Sequence, residues 1–386
     1  MFSNRVPSDR RPNAFTSALA RAKARGPVVD LTTTNPTSAG FVYPPDLLAP
    51  LGDAAGLAYA PAAFGLADAR AAVAETYHVR GLEISASHVV LTASTSEAYS
   101  LLFKLLCDAG SRVLTPVPSY PLFDHLTALD AVDQGRYQLD SHGNWTVDFH
   151  SLDAAWNDRT RCVLAVAPNN PTGSILRDAD ADELVQRCAG RDAALILDEV
   201  FRDYLFSGPL GEAPSLRQPS ALTFRLGGLS KTVGLPQIKL GWIAVQGPEP
   251  AVADALDRLE LICDTYLSVS TPVQLAARRL LDRGAAVRTQ IQERIRRNYA
   301  ALGARLADSS ASVLPADGGW SAVIRVPATR PEEALVHDLL ERDAVVVHPG
   351  YFFDFPSEAF LVVSLLPVPD LFDRGVQLLQ DRLNAA

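Results

Sequence analysis

Lys231 stands in Gly227-Gly228-Leu229-Ser230-Lys231-Thr232-Val233-Gly234, among small and apolar neighbours and just after the strand-like run Ala221-Leu222-Thr223-Phe224. A lysine is rarely buried without a partner or a chemical task. Desolvation by such neighbours favours the neutral amine, the form that attacks carbonyls and makes Schiff bases. Two more polar residues occupy comparable places. Asn170 lies in Asn169-Asn170-Pro171-Thr172-Gly173, a turn by composition that follows an apolar run directly. Asp198 closes the run Ala194-Leu195-Ile196-Leu197-Asp198. Each has a plainer reading as a turn, cap or loop residue. In open α/β sheets, however, ligands bind beyond the carboxyl ends of the strands. An asparagine, an aspartate and a lysine after three such strands can therefore meet in one crevice.

The elements that would position them follow from hydrophobic pattern. Val89-Val90-Leu91-Thr92, Arg112-Val113-Leu114-Thr115-Pro116, Cys162-Val163-Leu164-Ala165-Val166 and the run ending at Asp198 read as strands. Helical patterns over Glu97 to Leu106 and Asp180 to Cys188 alternate with them. Unbroken apolar strands separated by helices indicate a mostly parallel sheet covered on both faces. Residues 285–308 carry the clearest helix, with Val287, Ile291, Ile295, Tyr299, Leu302 and Leu306 at three- and four-residue steps. Strand-like runs at Trp320 to Val326 and Ala344 to Val347 follow it. The expectation is an α/β fold. A three-layer large domain spans 46–275, and a smaller α+β C-terminal domain spans 276–386, opened by a long linking helix. Residues 1–45, rich in Pro, Thr, Ser and Asn, read as an extended arm that also completes part of the small domain.

With 386 residues, 48% of them hydrophobic, the chain can build a large core. Its net charge of −9 comes with scattered Lys and Arg, which argues against nucleic acid and anionic membranes as partners. Cys107, Cys162, Cys188 and Cys263 lie far apart without metal-ligand spacing, so free thiols in a reducing compartment and no metal are expected. The polar N-terminus lacks the apolar core of a signal peptide, and runs such as Ala359 to Leu366 are too short to span a bilayer. A cytoplasmic location follows as an expectation.

Taken in order and spacing, the Asn-Pro-Thr-Gly, Asp-Glu-x-aromatic and Ser-Lys elements resemble those of the class I/II aminotransferases, fold-type-I enzymes that use pyridoxal 5′-phosphate (PLP). The resemblance runs from about Asp30 to Pro367. It implies that Lys231 holds PLP as an internal aldimine and later moves the proton between substrate and cofactor. It implies that Asp198 pairs with the pyridine nitrogen and that Asn170 bonds the ring's 3′-oxygen. Tyr120, in Pro118-Ser119-Tyr120-Pro121, is the ring that stacks on the cofactor face. Ser94, Thr95 and Ser96 at a helix N-terminus, with Ser230 and Lys239, would bind the phosphate. Tyr59 would reach the phosphate of a neighbouring subunit, which implies a homodimer with shared active sites. An amino acid or amine and an oxo acid are the substrates so implied. A lyase or decarboxylase of the same fold is the alternative. Only about 30 residues precede the matched region, so a regulator with a leading DNA-binding domain is not expected. A dehydrogenase would need a strand-linked G-x-G-x-x-G, which the chain lacks.

Three positions depart from the family pattern. Phe201 stands where a tyrosine usually donates to the 3′-oxygen, and losing that donor should raise the aldimine pKa. Tyr204, three residues on, is a poor positional substitute. At the phosphate end, Gly228 replaces a serine and Lys239 an arginine, a point charge in place of a two-pronged donor. The third is Val362, aligned with the arginine that clamps the substrate's α-carboxylate. No arginine occurs between Arg342 and Arg374. Either Arg202, Arg325 or Lys239 stands in, or the amine substrate carries no carboxylate there. None of the seven histidines falls on a matched position, and His348 is expected to be structural.

Overall fold

The computed structural model describes residues 2–141, 143–207 and 216–385. Its large sheet has eight strands: β1 (Val89–Thr92), β2 (Arg112–Val117), β3 (Asp133–Asp140), β4 (Thr146–Val147), β5 (Thr160–Val166), β6 (Ala194–Asp198), β7 (Thr223–Gly228) and β8 (Gly241–Gln246). They lie in the order β1-β8-β7-β6-β5-β2-β3-β4. Strands β7, β6, β5, β2 and β3 are parallel, whereas β8 pairs antiparallel with both its neighbours and β4 antiparallel with β3. Alternate side chains of one strand serve opposite faces. Cys162 and Leu164 of β5 join a core with helices Thr95–Leu106 and Glu249–Tyr266. Val163 and Ala165 join another with helix Asp178–Gly190. Both faces are thus dry, which explains the unbroken apolar runs.

Strand β3, next to the edge, is absent from the sequence reading because Asp133-Gln134-Gly135-Arg136-Tyr137-Gln138 is polar, with only alternate residues buried. The long helix is Thr271–Leu306, 36 residues or about 54 Å, and begins well before residue 285. Its first half buries Ala276, Ala277 and Leu280 against Trp242 of β8. Its second half buries Ile291, Ile295 and Leu302 in a separate core with Leu361, Val363 and Phe372. One rigid element therefore belongs to both cores.

The second core supports a four-stranded antiparallel sheet in the order Ser312–Val313, Ser321–Arg325, Phe360–Ser364, His348–Pro349. The extended arm expected over 1–45 needs correction: it contains the helix Ala14–Arg25, capped by the Asn13 side chain accepting from the Thr16 amide. That helix buries Phe15, Ala18 and Ala22 in the second core. Val29–Asp30 then pairs in parallel with Val345–Val346, so the N-terminal segment is built into the small unit. Among the described residues no helix is long and apolar enough to cross a membrane.

Candidate active site

Strands β5 and β6 end level, with Val166 opposite Asp198, and Asp198 lies opposite Leu226 of β7, which runs two residues further to Gly228. Beyond their carboxyl ends, and against the small sheet, opens a cleft of about 490 Å³. That size is ample for a cofactor with a small substrate.

Asp198 lies at its floor, 7% exposed. The Tyr99 hydroxyl donates to its Oδ2 at 2.6 Å and the Val200 amide to its Oδ1 at 3.0 Å. Burial raises its pKa, while the Tyr99 bond, the Val200 amide and the charge of Lys231 oppose that rise. The residues behind it are locked. Glu199 accepts from Arg225 Nη1 at 2.5 Å and from Arg202 Nη1 at 3.4 Å, and Arg225 Nε donates to Gln246 Oε1. A buried ionic cluster is weak evidence for stability, yet it fixes where the segment after Asp198 runs.

Lys231 projects from the four-residue helix Leu229–Thr232 that follows β7. Its Nζ is 4.9 Å from the centroid of the Trp320 indole and 5.6 Å from that of Phe201. Burial lowers its pKa, opposed by the Asp198 carboxylate. Burial thus shifts the amine toward its neutral form, the direction the sequence implied. Tyr204 donates from its hydroxyl to the Lys231 carbonyl at 2.6 Å. That phenol is committed to the lysine's backbone and does not replace the hydroxyl missing from Phe201.

The two asparagines of the turn divide their tasks. Asn169 is buried, its Oδ1 accepting from the Thr172 amide and hydroxyl. Asn170 faces the cleft, its Oδ1 3.4 Å from the Ser321 hydroxyl.

At the other end, Ser94 caps helix Thr95–Leu106 by accepting from the Glu97 amide, and Glu97 accepts from the Ala93 amide at 2.6 Å. This capping box leaves the amides of Thr95 and Ser96 without intrahelical acceptors. Gly241 opens β8 so close by that a Cβ there would sit 3.0 Å from the Ser94 carbonyl carbon. Ser94, Thr95, Ser96, Gly228, Ser230 and Lys239 all line the same end of the chemistry-bearing cleft. Lys239 holds a left-handed backbone, with φ +59°.

Tyr120 also lines the cleft, 46% exposed. Tyr59 does not: it is 80% exposed and sits beside Tyr266 and Leu267. Val362 lines the cleft and is 2% exposed. Neither Arg202 nor Arg325 lines the cleft with it, and among the described lining residues there is no arginine. His348, expected to be structural, is in the lining as well. Tyr99 and Trp320 are the site residues that sequence reasoning passes over, because both read as core aromatics.

The match of the whole chain to known families decides what this cleft belongs to. Residues 30–367 match the family model for aminotransferase class I and II. The chain belongs to the class I and II aminotransferases. Among curated members it is 26% identical to the glutamate-pyruvate aminotransferase AlaA of Haemophilus influenzae, over 69% of this chain and 67% of that protein. It is also 26% identical to the alanine aminotransferase of Mycobacterium tuberculosis, over 90% of this chain and 84% of that one. The alanine aminotransferase of Pyrococcus furiosus superposes with a TM-score of 0.88 at 20% identity, covering all of both chains. Enzymes of this class I and II family depend on PLP. The residues present fit that group. A capped helix N-terminus with Gly241 against it leaves room and amide donors for a phosphate. Among the described residues the buried Asp198 has no cationic hydrogen-bond partner, which suits a protonated ring nitrogen. A lysine amine shifted toward its neutral form by burial suits a carbonyl carbon.

Proposed function

We propose that this aminotransferase moves an amino group from a primary amine donor to an oxo acceptor, with Lys231 as the reacting lysine, and that its donor is not held by an α-carboxylate. The observation that carries the reading is the half-buried, deprotonation-prone Lys231 facing Asp198 across a cleft whose wall holds Val362 in place of a guanidinium. When bound, PLP supplies an electrophilic carbon and an electron sink. The chain's residues do the rest. Asp198 would hold the ring nitrogen and keep its proton in place. Lys231 Nζ carries the proton to and from the substrate's reacting carbon. Asn170 would hold the 3′-oxygen, Tyr120 would cover the ring, and Ser94, Thr95, Ser96, Ser230 and Lys239 would hold the phosphate. Leaving a carboxylate beside Val362 without a cation would be costly. The exposure of Tyr59 and of Leu57 beside it supports a homodimer in which Tyr59 serves the neighbouring site. We place the enzyme in the cytoplasm, consistent with four unpaired cysteines.

The test is a screen of purified holoenzyme against α-amino acids and carboxylate-free primary amines, each added without acceptor. Cofactor absorbance changes with the amines, and mass analysis of the released cofactor finds the donor's amino group on it. Efficient turnover of ordinary α-amino acids would sink the substrate reading. Carbon dioxide or ammonia released with unaltered cofactor would instead assign a decarboxylase or lyase.

Phe201 provides a separate check. Its ring packs edge-on to Trp320, with centroids 5.4 Å apart, and faces the cleft. Phe201→Tyr restores a donor near the 3′-oxygen that competes with the linkage proton. The pKa of the nitrogen joining Lys231 to the cofactor should fall by about one unit, the size of a single hydrogen bond to a charged group. Absorbance titration of the holoenzyme reads it directly, and a rise or no change refutes the assignment.

A further inference from the structure

We propose that His348 selects the substrate by hydrogen-bonding an uncharged polar group on it, a hydroxyl, so that the donor class is amino alcohols. The proposal rests on the preceding reading that the donor lacks an α-carboxylate. Its starting point is register. His348 and Val362 are directly opposite in the antiparallel pair His348–Pro349 with Phe360–Ser364. Directly opposed residues of such a pair project to the same face. Both line the cleft. The wall that Val362 leaves without a guanidinium therefore carries an imidazole, beside the hydroxyl-bearing Ser321 and Ser364.

That ring is held but not used. Phe15, Phe352 and Phe353 surround it, with centroids 6.3, 5.7 and 5.9 Å away. Among the described residues it makes no hydrogen bond and no ion pair. A half-buried imidazole with an idle donor and an idle acceptor is an incomplete arrangement, since burying polar atoms costs free energy unless a partner satisfies them. The partner is missing from the described residues and the ring opens on the cleft, so water fills the role in the free enzyme and a bound substrate that displaces it must supply a matching group.

Charge then chooses the ligand. The elements packed on His348 contribute phenyl rings from helix Ala14–Arg25 and from the turn Gly350–Phe353, and a valine from the neighbouring strand. The charge that acts on it comes from Asp30, a carboxylate. Burial pushes the imidazole's pKa below its ordinary 6.5, against the opposing pull of Asp30. The ring is thus neutral near pH 7, one nitrogen donating and the other accepting. A carboxylate arriving there would meet Val362 and a neutral ring instead of a guanidinium, with the Asp30 carboxylate acting on that ring from outside the cleft. A hydroxyl, which both donates and accepts, matches the ring in either tautomer.

Aminobutanol and pentylamine have the same number of heavy atoms and differ in the terminal hydroxyl. Wild-type holoenzyme should favour aminobutanol by roughly ten- to a hundred-fold in kcat/KM, the loss expected when a site built to bond a hydroxyl is offered a methyl. His348→Phe should bring that ratio to about one, with the change falling on KM for the amino alcohol. His348→Gln, which keeps a donor and an acceptor, should retain part of the preference. Thermal melting and the cofactor absorbance of each variant establish that it folds and loads. A wild type that does not prefer the alcohol overturns the proposal, as does a His348→Phe variant that slows both amines equally. If both amines react without preference, the assignment of His348 fails while the carboxylate-free reading stands. If only α-amino acids react, with KM falling as the pH is lowered, both fail and the ring is a proton-linked carboxylate site.

Discussion

Lys231→Ala should abolish amine transfer, lowering the single-turnover rate of the loaded enzyme by roughly ten-thousand-fold or more. Two contributions add. A positioned general base is worth about a hundred- to ten-thousand-fold, and the covalent hold that places the cofactor is lost with it. The structure assigns the amine no alternative. Its Nζ is enclosed by the Trp320 and Phe201 rings, and Asp198, the acidic group in reach, is buried and bonded to Tyr99. Lys231→Arg separates charge from proton transfer, because a guanidinium stays protonated and cannot act as a base. It should be as inactive as alanine although it preserves the positive charge near Asp198. Small exogenous amines should restore part of the Lys231→Ala rate by supplying a mobile base. If Lys231→Ala retained activity within tenfold of wild type, the role given to this lysine would be wrong.

The groups proposed to react are legible before any coordinates because each sits at or just past a strand end, and strand ends are written in apolar runs broken by turn residues. Asp198 ends β6, Asn170 follows β5 and Lys231 follows β7, so the parallel order of three strands gathers them without further information. Tyr99 is not legible in this way. It lies 99 residues from Asp198, on the core-facing side of helix Thr95–Leu106, and its apolar ring fits the helical period whether or not its hydroxyl has a task. Trp320 hides likewise, as the residue leading into an apolar strand. The helix Ala14–Arg25 escapes because alanines and arginines dominate it and its few apolar residues meet a core assembled from the far C-terminal end. His348 shows the same limit at the site. Its neighbours in sequence are apolar, and only the pairing with Phe360–Ser364 turns it toward the cleft. What escapes a local reading is whatever depends on contacts made across the fold.

Asp198→Asn should cost activity and return stability, and the two effects have one cause. The substitution keeps the side chain's shape and an oxygen that can accept from Tyr99 at the floor of the cleft, but removes the charge. Without that charge the ring nitrogen loses its proton, and kcat should fall about a hundred- to a thousand-fold, the range for deleting one preorganised electrostatic contact. Stability runs the other way. Burial raises the folded-state pKa of Asp198 above the unfolded value of 3.8. A carboxyl shifted in that direction favours the fold below the unfolded pKa, and the benefit disappears as pH rises through the folded pKa. At neutral pH the apoprotein therefore carries a buried charge at a cost, and apo Asp198→Asn should melt higher than apo wild type. The difference should shrink below pH 4, where the wild-type carboxyl is protonated, and shrink again on adding PLP, whose ring nitrogen gives the wild-type charge a partner. Tyr99→Phe is the milder companion: removing the donor at Oδ2 raises the carboxyl pKa further and should lower kcat by roughly tenfold, a single hydrogen bond to a charged group. Activity of Asp198→Asn within tenfold of wild type would refute the electrostatic role. A lower melting point for its apoprotein would refute the cost of burial, and show that the attraction between Asp198 and Lys231 outweighs the desolvation of both.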